Sequence, residues 1–337
     1  MVKSLLPFAL AAASLAAQQQ VPAKLPPPVA ETRRDFPQAD ISNGLIQAKL
    51  LLPDAEKGYY RATRFDWSGQ IQSLEYKGHN YFGQWNPRED PKLHDSIMGP
   101  VEEFGNNALG WDDAQPGGVF VKVGVGALKK PEGGARYSSF NTYDIVDTGK
   151  WNVRKGADFV EFTQELKDAA GYAYVYRKTV RLAKGKPVLS LEHTLRNTGR
   201  KVIETSVYEH NFYMIDGRPT GPEFVVKFPF EVKAVRSLAP LAETSGKELR
   251  YLQELQARQT AQSELTGFGA SPGDYDIRVE NSKAGAGVRQ TSDRPVARMN
   301  FWSIRATVCP EAYINLRVEP GKETSWRIDY EFYTLDR

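Results

Sequence analysis

The chain has one cysteine, Cys309, in 337 residues. No intramolecular disulfide can form, so burial and hydrogen bonding must hold the fold, and a lone cysteine is expected as a small core residue. Long hydrophobic runs are scarce. The one sustained apolar stretch, 5–17, is too short for a permanent bilayer crossing, so no integral membrane span is expected. Charge of one sign is lacking too: 44 Lys and Arg stand against 41 Asp and Glu, and the basic residues are scattered. That balance argues against nucleic acid as the main partner. Only four histidines occur, His79, His94, His193 and His210, spaced too widely for a helical metal-binding pair. There is no glycine-rich phosphate loop with its lysine and no Gly-x-Ser-x-Gly elbow, and Gly124-Val125-Gly126 has no helix pattern behind it. No cofactor and no metal site are expected.

Aromatic side chains are plentiful, with 16 Tyr, 16 Phe and 6 Trp, and 28 Gly and 21 Pro punctuate the chain. This composition suits strands broken by turns. Period-two alternation recurs from about residue 45 almost to the end. Residues 159–166 and 172–182 alternate on either side of Asp168-Ala169-Ala170-Gly171 and read as an antiparallel hairpin. A strand over 188–196, the turn Asn197-Thr198-Gly199-Arg200, and a further strand ending in Glu209-His210-Asn211-Phe212-Tyr213 follow. Connections this short leave no room for crossover helices, so the sheets must be largely antiparallel. One domain of two large sheets face to face is expected over 41–337. Residues 242–263 break the pattern. They are charged and Gln-rich, with Leu249, Leu252 and Leu255 three residues apart, and read as a surface helical insertion. At the start, Lys3, the apolar run, and Ser14 and Ala16 at small-residue positions read as an export signal over 1–16. Pro22, Pro26, Pro27 and Pro28 make 17–40 a stiff, disordered lead-in, and an exported protein is expected.

Several segments could carry chemistry. Arg64 and Asp66 lie among aromatics in 60–69; a structural pair beside a core tryptophan and a ligand-binding fork are both open. His94, Asp95, Glu102 and Glu103 sit in a loop-like context, either a solvated acidic turn or a ligand contact. His210 closes a strand, where a histidine among aromatics is ordinarily a satisfied core residue, and strand geometry turns Glu209 and Asn211 the other way. Glu311, in Cys309-Pro310-Glu311, is a cap or edge residue or, if partly buried, a base poised near neutral pH.

In this order, Thr194-Leu195-Arg196-Asn197-Thr198-Gly199, His210-Asn211-Phe212-Tyr213, and Cys309-Pro310-Glu311 followed by Pro320-Gly321 and a last strand resemble the aldose 1-epimerase, or galactose mutarotase-like, superfamily over roughly residues 41–333. The resemblance implies an all-β fold, a large antiparallel β-supersandwich. It also implies that Glu311 takes the anomeric hydroxyl proton while His210 protonates the ring oxygen. The candidate substrate contacts, read from their own segments and not assigned by the resemblance, are Arg64, Asp66, His94, Asp95, Glu102, Glu103 and Asn211. Leu93-His94 is followed by Asp95-Ser96 where the family has two glycines, and Pro310 stands where leucine precedes the glutamate. The leading expectation is therefore an aldose 1-epimerase interconverting the anomers of a free sugar, with a small-molecule or oligomeric carbohydrate as its partner, as a monomer or weak dimer. A carbohydrate-binding protein without turnover, and a polysaccharide hydrolase or lyase, are the alternatives.

Overall fold

The computed structural model describes residues 36–105, 108–134 and 136–336. The expected signal segment, 1–16, and the lead-in as far as residue 35 lie outside these residues. The domain starts earlier than residue 41: Gln38–Ser42 is already a strand, with Ala39 and Ile41 buried and their neighbours exposed. Proline enrichment ends before this stretch, and alternation takes over within it.

Two antiparallel sheets dominate. The larger, ten-stranded sheet runs in the order Ala242–Ser245, Glu248–Tyr251, Phe224–Lys227, Asp276–Asn281, Ala286–Ser292, Glu323–Thr334, Val188–Asn197, Tyr172–Leu182, Phe159–Ala169, Lys150–Lys155. The smaller, six-stranded sheet runs Lys233–Ala234, Thr260–Thr266, Arg298–Ile304, Thr307–Val318, Ile203–His210, Val101–Phe104. Their ladders are antiparallel throughout. The expected hairpin is present as Phe159–Ala169 and Tyr172–Leu182, turning at Ala170-Gly171. Four-stranded and three-stranded sheets complete the fold, and among the described residues the only helical turns are the 3-10 turns Ile215–Gly217 and Pro272–Asp274. None of the described helices is long and apolar enough to cross a membrane.

One hydrophobic core fills the space between the large sheets, drawing Tyr174, Leu191 and Tyr330 from one and Val207, Phe301 and Ile314 from the other. A second apolar cluster covers the outer face of the six-stranded sheet, where Phe65, Trp85 and Ile97 from loops meet Val101, Phe212 and Cys309. Both faces of this sheet are therefore buried, and Thr307–Val318 reads buried at eight consecutive positions from its start. Gly99 shows how closely the loops approach: a Cβ there would lie 2.2 Å from the Asn211 carbonyl oxygen.

The expected helical insertion at 242–263 is instead the strands Ala242–Ser245 and Glu248–Tyr251 and the start of Thr260–Thr266. Leu249 and Leu255 are buried, but Leu252 is 49% exposed, so the three-residue spacing marks no helical face. Gly246, at φ +58, supplies the left-handed residue that the tight turn between the first two strands requires.

Candidate functional site

A cavity of about 300 Å³ opens on the outer face of the six-stranded sheet. Antiparallel register and side-chain alternation fix which residues reach it. In Arg298–Ile304, residues 298, 300 and 302 point outward, and their partners in Thr307–Val318 are Tyr313, Glu311 and Cys309. Tyr313 in turn pairs with Tyr208, and Tyr208 with Glu103. Arg298, Tyr313, Tyr208 and Glu103 thus form one row across the sheet. Asn300, Glu311 and His210 form the next, and Trp302 and Phe212 close the third. All but Cys309 line the cavity.

The second row contains the chemistry. Asn300 Nδ2 donates to Glu311 Oε2 at 2.9 Å, leaving Oε1 to face His210 Nε2 at 3.4 Å. The imidazole is stacked on Phe212 with ring centroids 3.8 Å apart, and Phe212 is stacked on Trp85. Burial raises the Glu311 pKa; the Asn300 hydrogen bond and the Arg64 charge pull it back only to about 7. Burial, with Arg64 adding to it, pushes His210 well below 6.5. At neutral pH the imidazole is neutral, so this contact is not an ion pair. The pair holds a single proton below about pH 7, and it resides on Glu311.

Arg64 enters from the loop before strand Gln70–Tyr76. Its Nε donates to Glu103 Oε2 at 2.8 Å, Nη1 to Asp95 Oδ1 at 2.6 Å and Nη2 to the Tyr208 hydroxyl at 3.3 Å. Tyr208 donates to Glu103 at 2.6 Å, and the Lys122 ammonium lies 3.7 Å from the other Glu103 oxygen. Burial alone would raise the Glu103 pKa, but Arg64 and Lys122 outweigh it and hold the carboxylate at about 2. Glu103 is a fixed anion at the base of the cavity.

Of the residues expected from sequence, Arg64, Asp95, Glu103, His210 and Glu311 meet at this cavity. His94 does not line it; its Nε2 contacts Asp95 Oδ2 at 3.0 Å from behind, and its ring packs on Phe140. Asn211, expected to bind substrate, points the opposite way. It fills the gap between the last ladder pair, Tyr208–Tyr313, and the isolated bridge Tyr213–Val308, donating to the Pro310 carbonyl at 2.8 Å and to Gln290. Pro310 has no amide hydrogen to give, and this gap is where a strand can hold it. Glu102, also expected at the substrate, faces the core between the sheets because it alternates with Glu103 along one strand, and Asp66, on the loop beyond Arg64, is held in that core by the Tyr176 hydroxyl at 3.0 Å and by Ser68.

That core holds its own ionic group. In the ten-stranded sheet Lys178, His193 and Trp326 are neighbours in register, and they meet Glu102 and Glu209, a register pair of the smaller sheet. Lys178 Nζ is bonded to Glu102 Oε2 and donates to the Ser68 carbonyl, with Asp66 4.0 Å away; His193 Nε2 lies 2.5 Å from Glu102 Oε1. Burial opposes the Glu102 charge, yet Lys178 and His193 lower its pKa. Glu209 is driven the other way, well above the usual carboxylate range, by burial and by the Glu102 charge. Glu102, His193 and Glu209 present ligand atoms within 4.8 Å of one another, a grouping across three strands that no sequence spacing announces. Of these three, Glu102 is the one bonded to the Lys178 ammonium.

Sequence reasoning missed Tyr208, Asn300, Arg298 and Trp302; the only signal is alternation, which puts Tyr208 on one face with His210 and Arg298, Asn300 and Trp302 on one face of their own strand. No protein-family profile and no curated protein sequence matches the chain. Solved structures do. The aldose epimerase homologue from C. elegans superposes with a TM-score of 0.55 at 13% identity, covering 89% of this chain and 99% of that one. A galactose mutarotase-like protein from Clostridium acetobutylicum gives 0.53 at 14% identity, covering 88% and 95%. A galactose mutarotase related enzyme from Lactobacillus acidophilus gives 0.52 at 14%, covering 89% and 99%. By its fold, the chain is a galactose mutarotase-like β-supersandwich.

Proposed function

We propose that the protein interconverts the anomers of a free sugar by acid/base ring opening at Glu311 and His210. The 3.4 Å contact between the two side chains inside a cavity carries this reading. The hemiacetal hydroxyl and the ring oxygen are bonded to the same carbon, so two groups side by side can reach both. Glu311 gives its proton to the ring oxygen as the bond from that oxygen to C1 breaks; His210 accepts the hydroxyl proton as the carbonyl forms. Rotation about the C1–C2 bond and closure along the reverse path deliver the other anomer and return the proton to Glu311. With the roles exchanged, Glu311 as base and His210 as acid describe the same singly protonated pair, so the titration belongs to the pair. The cavity volume, about 300 Å³, is at the lower end for small-molecule sites and suits one sugar ring better than a polymer. The structural neighbours named as epimerases and mutarotase-like proteins support the same reaction class.

Magnetisation-exchange NMR on a panel of α-aldoses is the test. Glu311→Gln, which keeps an acceptor for Asn300, is expected to slow exchange by about 10²- to 10⁴-fold. Rates equal to wild type for every sugar would end the proposal. Saturable binding without exchange would identify a carbohydrate-binding protein instead.

A further inference from the structure

Resting on that reading, we propose that the sugar is acidic and that Arg298 binds its carboxylate. The charges around the cavity otherwise balance. Arg64 and Lys122 face Glu103 and Asp95, two cations against two anions, all within 4.0 Å of a partner. Glu311 and His210 share one proton and no net charge in the state that reacts. Arg298 stands apart. Among the described residues no carboxylate lies within ion-pair distance of its guanidinium, which rests on the Tyr313 ring at 4.2 Å, and its buried Nε has no hydrogen-bond partner. Glu264, opposite Asn300 in register, is exposed and forms no ion pair with it.

Arg298 is the next outward residue along the strand from Asn300, on the floor that carries Glu311. A ring with its anomeric carbon at Glu311 and His210 extends toward it. One unpaired guanidinium calls for one negative charge, and its planar fork matches a carboxylate. A phosphoryl group would bring about −1.5 to −2 at neutral pH, more than this site balances. The substrate class is therefore a hexuronic acid or a related carboxylated aldose.

The experiment compares anomer exchange of glucuronate, galacturonate, glucose, galactose and glucose 6-phosphate on the full chain as wild type, Arg298→Gln and Arg298→Lys. Wild type is expected to favour the uronates in kcat/KM by about tenfold or more over the neutral hexoses. Arg298→Gln should bring that ratio near one, and Arg298→Lys should retain part of it. An arginine that only tunes Glu311 would move the pH profile alike for every sugar and leave the ratio untouched, which would overturn the inference. So would a preference for neutral sugars or for the phosphate ester. Should no sugar be exchanged by any form, the epimerase reading fails by itself, and calorimetry of glucuronate against glucose on the same three proteins decides the anion site. Tighter uronate binding that Arg298→Gln abolishes supports it; equal binding of the two sugars overturns it.

Discussion

Two histidine–carboxylate clusters lie back to back on the six-stranded sheet, built from adjacent residues of the same strands. Glu102 faces the core and Glu103 the cavity; Glu209 faces the core and His210 the cavity. In the core, His193 Nε2 and Glu102 are 2.5 Å apart, and Lys178 completes the pairing. In the cavity, His210 Nε2 and Glu311 stand 3.4 Å apart, and among the described residues no Lys or Arg is bonded to either. The core cluster is enclosed by sheet on both sides and its carboxylate is locked in the charged form. The cavity cluster leaves a carboxyl poised near neutrality beside open volume. Burial of a histidine against a carboxylate does not make a proton-transfer site; the absence of a compensating cation and the presence of space do.

The comparison breaks if the core cluster is not structural. Lys178→Met leaves Glu102 buried without its ammonium and is expected to cost about 3–5 kcal/mol in urea unfolding. A loss below about 1 kcal/mol would show that Lys178 does not anchor the two sheets.

Glu209 sharpens the contrast at smaller amplitude. Its folded-state pKa lies well above 4.5 because of burial and the Glu102 charge. Above about pH 4.5 the unfolded chain releases a proton that the folded chain keeps, so this group subtracts stability increasingly as pH rises. Glu209→Gln, which stays neutral, is expected to be within about 1 kcal/mol of wild type near pH 4 and to gain on it as pH increases. Denaturation midpoints for both proteins across pH 4 to about 8 measure this; a variant that loses ground with rising pH would mean that Glu209 is ionised in the fold.

The two regions also differ in how far they could be read from the sequence. Where one face of a strand is covered less fully than the other, alternation was visible, as in Phe159–Ala169, which pairs with Tyr172–Leu182 as expected. The six-stranded sheet is buried on both faces, so Val101–Phe104 and the first eight residues of Thr307–Val318 show no contrast that separates cavity from core. Glu102 is therefore grouped with Glu103 although alternation sends them to opposite sides, whereas for Asn211 the structure bears out the strand geometry that turns it away from His210 and not its place among the substrate contacts. His210 and Glu311 were legible through the order of their surrounding motifs. Arg298, Asn300 and Tyr208 needed the register, because only pairing across strands sets them beside Glu311. In residues 242–263, two turns between short strands placed leucines three apart and imitated a helix.

The central claim is that the cavity pair works with one shared proton, and the pH dependence of kcat/KM for anomer exchange tests it directly. With Glu311 near 7 and His210 well below 6.5, the reactive singly protonated pair is lost as pH rises. The rate should fall about tenfold per pH unit above the Glu311 value and decline again only at acid pH, where His210 takes up a second proton. A profile that climbs through neutrality would make ionised Glu311 the working form with its acid elsewhere, and a flat profile would remove the pair from the reaction; either would contradict the account.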